Sequence, residues 1–219
     1  MQSKSIGIIT YHHHHNYGTM LQAFALQSVI QKIGYRAELI DFVSHSIITP
    51  YQLLLLRLKR FPVYVLNWRK YLTLAIAHNR VVERDSLFER FYDNYLVVGD
   101  RQYVSSIELS IHPPCYDGYV VGSDQTWNPN VSGNPDAFFL SFVSDNSKKG
   151  SYAPSVAVSS LNIEQTARFR RLLEDFAFVS CREKSGAKLL EAITGKHVQT
   201  VIDPTLLLTR EEWSTLAVQ

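Results

Sequence analysis

Three short stretches of this sequence carry side chains able to bind or transfer charge, and each directly follows an apolar run. The first is His12-His13-His14-His15-Asn16-Tyr17-Gly18, after the run SIGIIT at 5–10 and before a helical pattern. Imidazoles and the Asn16 amide bind hydroxyls or phosphate, and the unsatisfied N–H groups that open a helix hold anions. The second is Gly122-Ser123-Asp124-Gln125-Thr126-Trp127-Asn128. Its polar groups and its one tryptophan suit a sugar or nucleotide held by hydrogen bonds and ring stacking. They equally suit a turn in which Asp124 caps the next segment and Trp127 packs inward, and spacing leaves both readings open. The third is Ser180-Cys181-Arg182-Glu183-Lys184-Ser185. A guanidinium at a strand-to-helix junction can grip a carboxylate or phosphate bidentately, with a structural ion pair to Glu183 as the alternative. Cys181 ends an apolar run and reads as a packed thiol rather than a nucleophile.

The four histidines raise the question of a metal. Adjacent side chains seldom converge on one ion, and no Cys or Asp stands beside the run at a metal-ligand spacing. The run therefore reads as a binding loop, with an inert solvent loop as the bland alternative, and neither metal nor cofactor is expected. It contains no G-x-G-x-x-G, so a dinucleotide is not indicated.

The elements that must position these stretches follow from hydrophobic periodicity. SIGIIT reads as a strand. Residues 17–33 read as a helix, with Met20, Leu21, Phe24, Ala25, Val29 and Ile33 recurring near helical spacing and Gly34 stopping it. RAELIDF at 36–42 is the next strand. A βαβ start predicts a parallel sheet with helices on its faces. A basic, helical stretch over about 48–95 is expected as two or three helices, broken near Pro62 and after His78. YDGYVVGSD (116–124), AFFLSFV (137–143), KKGSYAPSVA (148–157), AFVSCRE (177–183) and VQTVIDP (198–204) read as strands or extended pieces. Helices are predicted at 163–176 and 184–194, with a short one after an N-cap at Thr209. In open α/β sheets ligands bind beyond the carboxyl ends of the strands, where all three polar stretches fall.

Composition narrows the function class. With 46% hydrophobic residues in 219, the chain has enough apolar material for a large core. A net charge of +2 gives no global case for nucleic acid. Two cysteines, Cys115 and Cys181, are too few for a disulfide scaffold or a Cys-rich zinc site. The first residues lack the apolar core of a secretory signal, so a cytoplasmic location is expected. Leucines and aromatics alternate with Arg57, Lys59, Arg60, Arg69 and Lys70 across 48–76. No stretch there is long and uncharged enough to span a bilayer, so the segment reads as amphipathic helices with a solvated basic face, or with peripheral membrane contact.

Taken in order, IGIITYHHHHNYGTMLQAFALQ, YDGYVVGSDQTWNP, FFLSFV with KKGSYAPS, FVSCREKSGAKLLEAITGK and VIDPTLLLTREEW resemble the polysaccharide pyruvyl transferase family. The matching pieces cover most of the chain outside roughly 44–110. The resemblance makes the histidine run a variant of a family loop in which His is followed by N-Y-G, and His12 is the family's histidine. It implies a Rossmann-like α/β domain over 1–208, like the N-terminal domain of a glycosyltransferase-B-like (GT-B-like) fold, with 44–110 as a helical basic insertion. It also implies transfer of a pyruvyl unit from phosphoenolpyruvate to a sugar of a cell-surface or lipid-linked glycan. His12, Asn16, Gly18, Gln22, Gln125, Asn128 and Arg182 would bind substrate, and Asp124 would take a polar catalytic role. Two departures stand out. The family continues after SYA with a small residue and Ser-Phe-Gly, where this chain has Pro154-Ser155-Val156-Ala157. The family's second domain should begin after DPTLLLTREEW, so 209–219 reads as the start of a link and the chain as an N-terminal half. A nucleotide-sugar glycosyltransferase of the same architecture and a non-catalytic module that binds a glycan or a partner transferase are the rival readings.

Overall fold

The first strand, β1 (Ser5–Ile9), is an isoleucine-rich run whose Ile8 and Ile9 are wholly buried, as expected of a strand covered on both faces. The structure, a computed structural model, describes residues 3–43, 68–131 and 136–217. From β1 the chain passes through α1 (Tyr17–Lys32) to β2 (Arg36–Leu39), which lies parallel to β1 with Ser5 opposite Arg36. The predicted βαβ opening is present. Asn16 caps α1 by accepting the Thr19 N–H, and the helix ends at Lys32, leaving Ile33 as an exposed cap.

After α2 (Trp68–Tyr95) and the short α3 (Ser106–Ile111) come β3 (Gly118–Val121) and β4 (Lys149–Ser151). The sheet order is β2-β1-β3-β4, parallel throughout. α4 (Ile163–Leu173) leads to β5 (Ser180–Cys181), and α5 (Lys184–Thr194) leads to β6 (Gln199–Thr200). β5 and β6 pair in parallel as a small second sheet. Serine hydroxyls join it to the first, for Ser180 Oγ donates to the Ser151 carbonyl at 2.6 Å and the Ser180 N–H to Ser151 Oγ at 2.9 Å. A bridge between Gly150 and Phe178 continues that contact. The result is a Rossmann-like α/β arrangement whose strands all point one way.

Gly195, at φ +68°, closes α5 in the left-handed conformation that suits a glycine there. α6 (Arg210–Ala217) starts as expected, with Thr209 Oγ1 accepting from the Glu212 N–H and Glu212 accepting from the Thr209 N–H. It packs on α1 through Phe24 and Trp213, whose ring centroids are 5.9 Å apart.

Three expectations are corrected. AFFLSFV is not a strand: Asp136–Phe139 form a 3₁₀ turn, and Leu140 follows with φ +52°. The 3₁₀ turn and the left-handed backbone at Leu140 lie outside the extended region that a strand requires. Nor does the helix break after His78, since α2 runs unbroken over 28 residues. The predicted break near Pro62, and most of the basic stretch 48–76, lie outside the described residues. Contacts divide the chain into one unit of 1–44 with 96–219 and another of 45–95, so α3 belongs to the sheet-bearing unit, not to the insertion. Among the described residues no helix is long and apolar enough to cross a membrane.

Ala157 gives the altered SYA segment a physical meaning. Its φ is +54°, where a Cβ costs about 1–2 kcal/mol, and the resembled pattern carries glycine at this position. The side chain is exposed, so removing it forfeits no packing. Ala157→Gly, offset by the extra freedom of the unfolded glycine, should stabilise by about 0.5–1 kcal/mol and raise Tm by roughly 1–4 °C. A lowered Tm would mean that the backbone is not left-handed there.

Candidate functional site

Because the strands are parallel, their carboxyl ends share one edge. Thr10–His15, Asp41, Ser123-Asp124, Tyr152–Ser155, Arg182 and Asp203 emerge there in turn. The chain leaves β1 toward β2 on one side, while β3 and β4 lie on the other. The β1–β3 gap is therefore the place where sheets of this kind open a ligand crevice. Thr10 and Ser123 hold that gap together, the Thr10 hydroxyl donating to the Ser123 carbonyl at 2.7 Å. A Cβ on Gly122 would come within 2.8 Å of Thr10 Cβ, so the two strand ends approach closely because residue 122 has no side chain.

Beside this gap lies a cavity of about 260 Å³ lined by Asn16, Gly18, Thr19, Gln22, Asp124, Arg182, Asp203 and Thr205. Gln22 is almost wholly buried, and its Nε2 donates to Thr10 Oγ1 and to the Tyr11 and Thr19 carbonyls at 2.9–3.0 Å. Two carbonyl partners fix the amide's orientation, which leaves Oε1 facing inward with no hydrogen-bond partner among the described residues. A buried acceptor left this way is costly unless a ligand donor or water meets it. Asp124 adopts φ +79°, a strained conformation that aims its carboxylate back at α1, and it accepts from Thr19 Oγ1 at 2.8 Å and from the Gln125 N–H at 2.7 Å.

Arg182 reaches the cavity from the end of β5. Its Nε donates to Glu183 Oε1 at 3.1 Å and its Nη1 to Asp203 Oδ2 at 3.0 Å, whereas Nη2 makes no hydrogen bond among the described residues. The structural pairing foreseen for it is present, to two carboxylates, and the guanidinium leaves a part-exposed edge on the cavity. Burial alone would lower the Arg182 pKa, but the bonds to Asp203 and Glu183 outweigh it and raise it further. Burial would likewise raise the Asp203 carboxyl, yet Thr205, Arg182 and Ser123 donate to it and hold it below the ordinary carboxylate value. The site stays charged on both sides at neutral pH.

The structure brings Asn16, Gly18, Gln22, Asp124 and Arg182 together at one cavity. Gln125 and Asn128 stand apart from its walls: Asn128 Nδ2 donates to Gln125 Oε1 at 2.8 Å, and Asn128 Oδ1 accepts from the Asn130 N–H at 2.9 Å, so their bonds shape the turn. Trp127 is wholly buried. It stacks on Phe139 at 5.5 Å and donates Nε1–H to the Phe138 carbonyl, which decides for packing over a sugar platform. Cys181 is the packed thiol expected, pushed up to about 11 by burial. Sequence reasoning missed Thr19, Asp203, Thr205 and Asp41. The two aspartates had a signal, since each lies within three residues of the carboxyl end of a parallel strand.

His12 lies at the end of β1, wholly buried, with Nδ1 on the Thr10 carbonyl at 2.9 Å. Burial lowers its pKa against the raising effect of Asp41. Burial would raise Asp41 in turn, but the neighbouring His12 and His13 rings, His13 in direct contact, hold that carboxyl well below its ordinary range.

The sequence profile of one family, polysaccharide pyruvyl transferase, matches residues 16–218. The chain belongs to that family. No curated protein and no solved structure matches it significantly. In this pyruvyl transferase family member the cavity residues Asn16 through Thr205 fall inside the matched span, whereas the four histidines precede it.

Proposed function

We propose that this chain forms part of an enzyme that transfers the pyruvyl unit of phosphoenolpyruvate to a sugar of a cell-surface polysaccharide, and that the cavity at the β1–β3 gap binds one or both substrates. Family membership over nearly the whole chain supports the reaction class, and the Arg182 edge on the cavity is the observation that supports an anionic donor. Phosphoenolpyruvate presents a carboxylate and a phosphate. The free side of the guanidinium and the N–H groups opening α1 are suited to one of them each. The buried Gln22 Oε1 is an acceptor for a sugar hydroxyl. In ketal formation one sugar hydroxyl adds to the enol carbon as the methylene carbon gains a proton. A second hydroxyl then displaces phosphate, so the two hydroxyl protons end on the new methyl group and on phosphate. Asp124, beside the cavity, is the candidate to move one of them. A GT-B-like architecture with a second domain across a cleft is part of this reading, as is a cytoplasmic site of action near lipid-linked acceptors.

A nucleotide-sugar glycosyltransferase is the rival, and amide chemical shifts separate the two. Added phosphoenolpyruvate should move the signals of Asn16, Gly18, Thr19 and Arg182, and UDP-glucose should leave them in place. Shifts at those residues with UDP-glucose alone would favour the rival.

A further inference from the structure

Nothing beside the histidine run in sequence completes a metal-ligand set, but the fold supplies the missing ligand from elsewhere. Asp41, at the carboxyl end of β2, meets His12 and His13 at the end of β1: its Oδ1 is 2.5 Å from His13 Nε2 and 3.9 Å from His12 Nε2. One ligand atom from each of the three residues lies within 4.8 Å of the other two. Zinc bonds of 2.0–2.2 Å at tetrahedral angles imply ligand separations of about 3.3–3.5 Å. The two printed carboxylate–imidazole spacings straddle that range, and side-chain adjustments of at most about 1.5 Å would seat an ion.

We propose that His12, His13 and Asp41 form a binding site for one divalent transition-metal ion, zinc being the ion used to test it. Three features go beyond mere proximity. The Thr10 carbonyl can only accept, so the neutral His12 ring carries its proton on Nδ1 and turns the Nε2 lone pair toward Asp41. A backbone carbonyl on the far nitrogen is the usual way a ligating histidine is oriented. His12 is wholly buried and therefore held in place, unlike a histidine in a flexible run. Asp41 is steadied from outside the cluster by Gln102, whose Nε2 donates to Oδ2 at 3.2 Å. Two imidazoles and one carboxylate, with His13 and Asp41 partly open to solvent, make a donor set for zinc, iron(II) or manganese(II) that leaves a position for water or an anionic ligand oxygen. The ion would take the place of the proton shared by His13 Nε2 and Asp41.

Titration of the chelator-treated chain with zinc chloride should show one ion bound per chain. The double variant His14→Ala/His15→Ala, which spares the three ligands, should bind it with similar affinity. Asp41→Ala should bind it more than about 100-fold more weakly, since loss of outer-sphere partners alone costs 10- to 100-fold. Zinc binding that survives Asp41→Ala but disappears with the His14/His15 change would overturn the proposal in favour of chelation by a loose histidine run, as would no binding at all. Cobalt(II) added to the wild-type chain decides the matter even if Asp41→Ala fails to fold. The strong visible absorption of a four- or five-coordinate ion is expected, and the weak spectrum of octahedral, water-rich cobalt would contradict it.

Discussion

Trp127→Ala is expected to cost about 3–5 kcal/mol, a large share of the 5–15 kcal/mol that holds a typical domain folded. The indole is fully buried, stacks on Phe139 at 5.5 Å, meets Phe176 edge-on at 6.0 Å and donates to the Phe138 carbonyl at 2.9 Å. Truncation would remove the apolar contact and leave that buried carbonyl short of a donor. Trp127→Phe should recover most of the packing but not the hydrogen bond, and so fall between the two. Chemical denaturation of the three proteins measures this. A tryptophan exposed for stacking on a sugar would instead leave stability nearly unchanged and lower glycan affinity, and that result would refute its placement in the core.

Arg182→Ala carries the second large effect. A charge-assisted contact to a carboxylate or phosphate is worth about 1.5–3 kcal/mol, so donor binding should weaken roughly 10- to 150-fold. Arg182→Lys should recover only part of it, because an ammonium cannot reproduce the planar fork. The same variant also breaks the bonds to Glu183 and Asp203, and its Tm should therefore fall as well. Asp203 keeps Thr205 and Ser123 as donors, which limits that loss. Measuring phosphoenolpyruvate affinity and Tm on one preparation separates the two roles. A lower Tm with unchanged donor affinity would reduce Arg182 to a structural residue.

The sequence shows the helices and the parallel sheet more readily than it shows the site. SIGIIT, the helix at 184–194 and the capped C-terminal helix carry local signals that tertiary contacts reinforce. AFFLSFV misleads because a short run, apolar but for Ser141, has no periodicity to separate strand from turn. Its Phe138 and Phe139 are buried against Tyr11 and Phe42 on one hand and Trp127 and Phe169 on the other. Asn16, Gly18, Asp124 and Arg182 could be nominated because they follow strands or open a helix, whereas Gln22, inside α1, came only with the family resemblance. Asp41 and Asp203 escaped notice although they obey the same rule, since each sits inside an apolar segment, RAELIDF or VQTVIDP, that reads as strand. Gln125 and Asn128 show the converse: polar residues in a loop can spend hydrogen bonds on the loop itself.

Pyruvyl transfer is tested most directly by following both halves of the donor. Phosphoenolpyruvate labelled with carbon-14 in its carbon skeleton and with phosphorus-32 is incubated with the gene's full product and the envelope glycan of its own cell. The account predicts carbon-14 in the glycan and phosphorus-32 as inorganic phosphate, in equal amounts, with both signals reduced by Arg182→Ala. Carbon-14 absent from the glycan while labelled sugar from UDP-glucose is incorporated would contradict it.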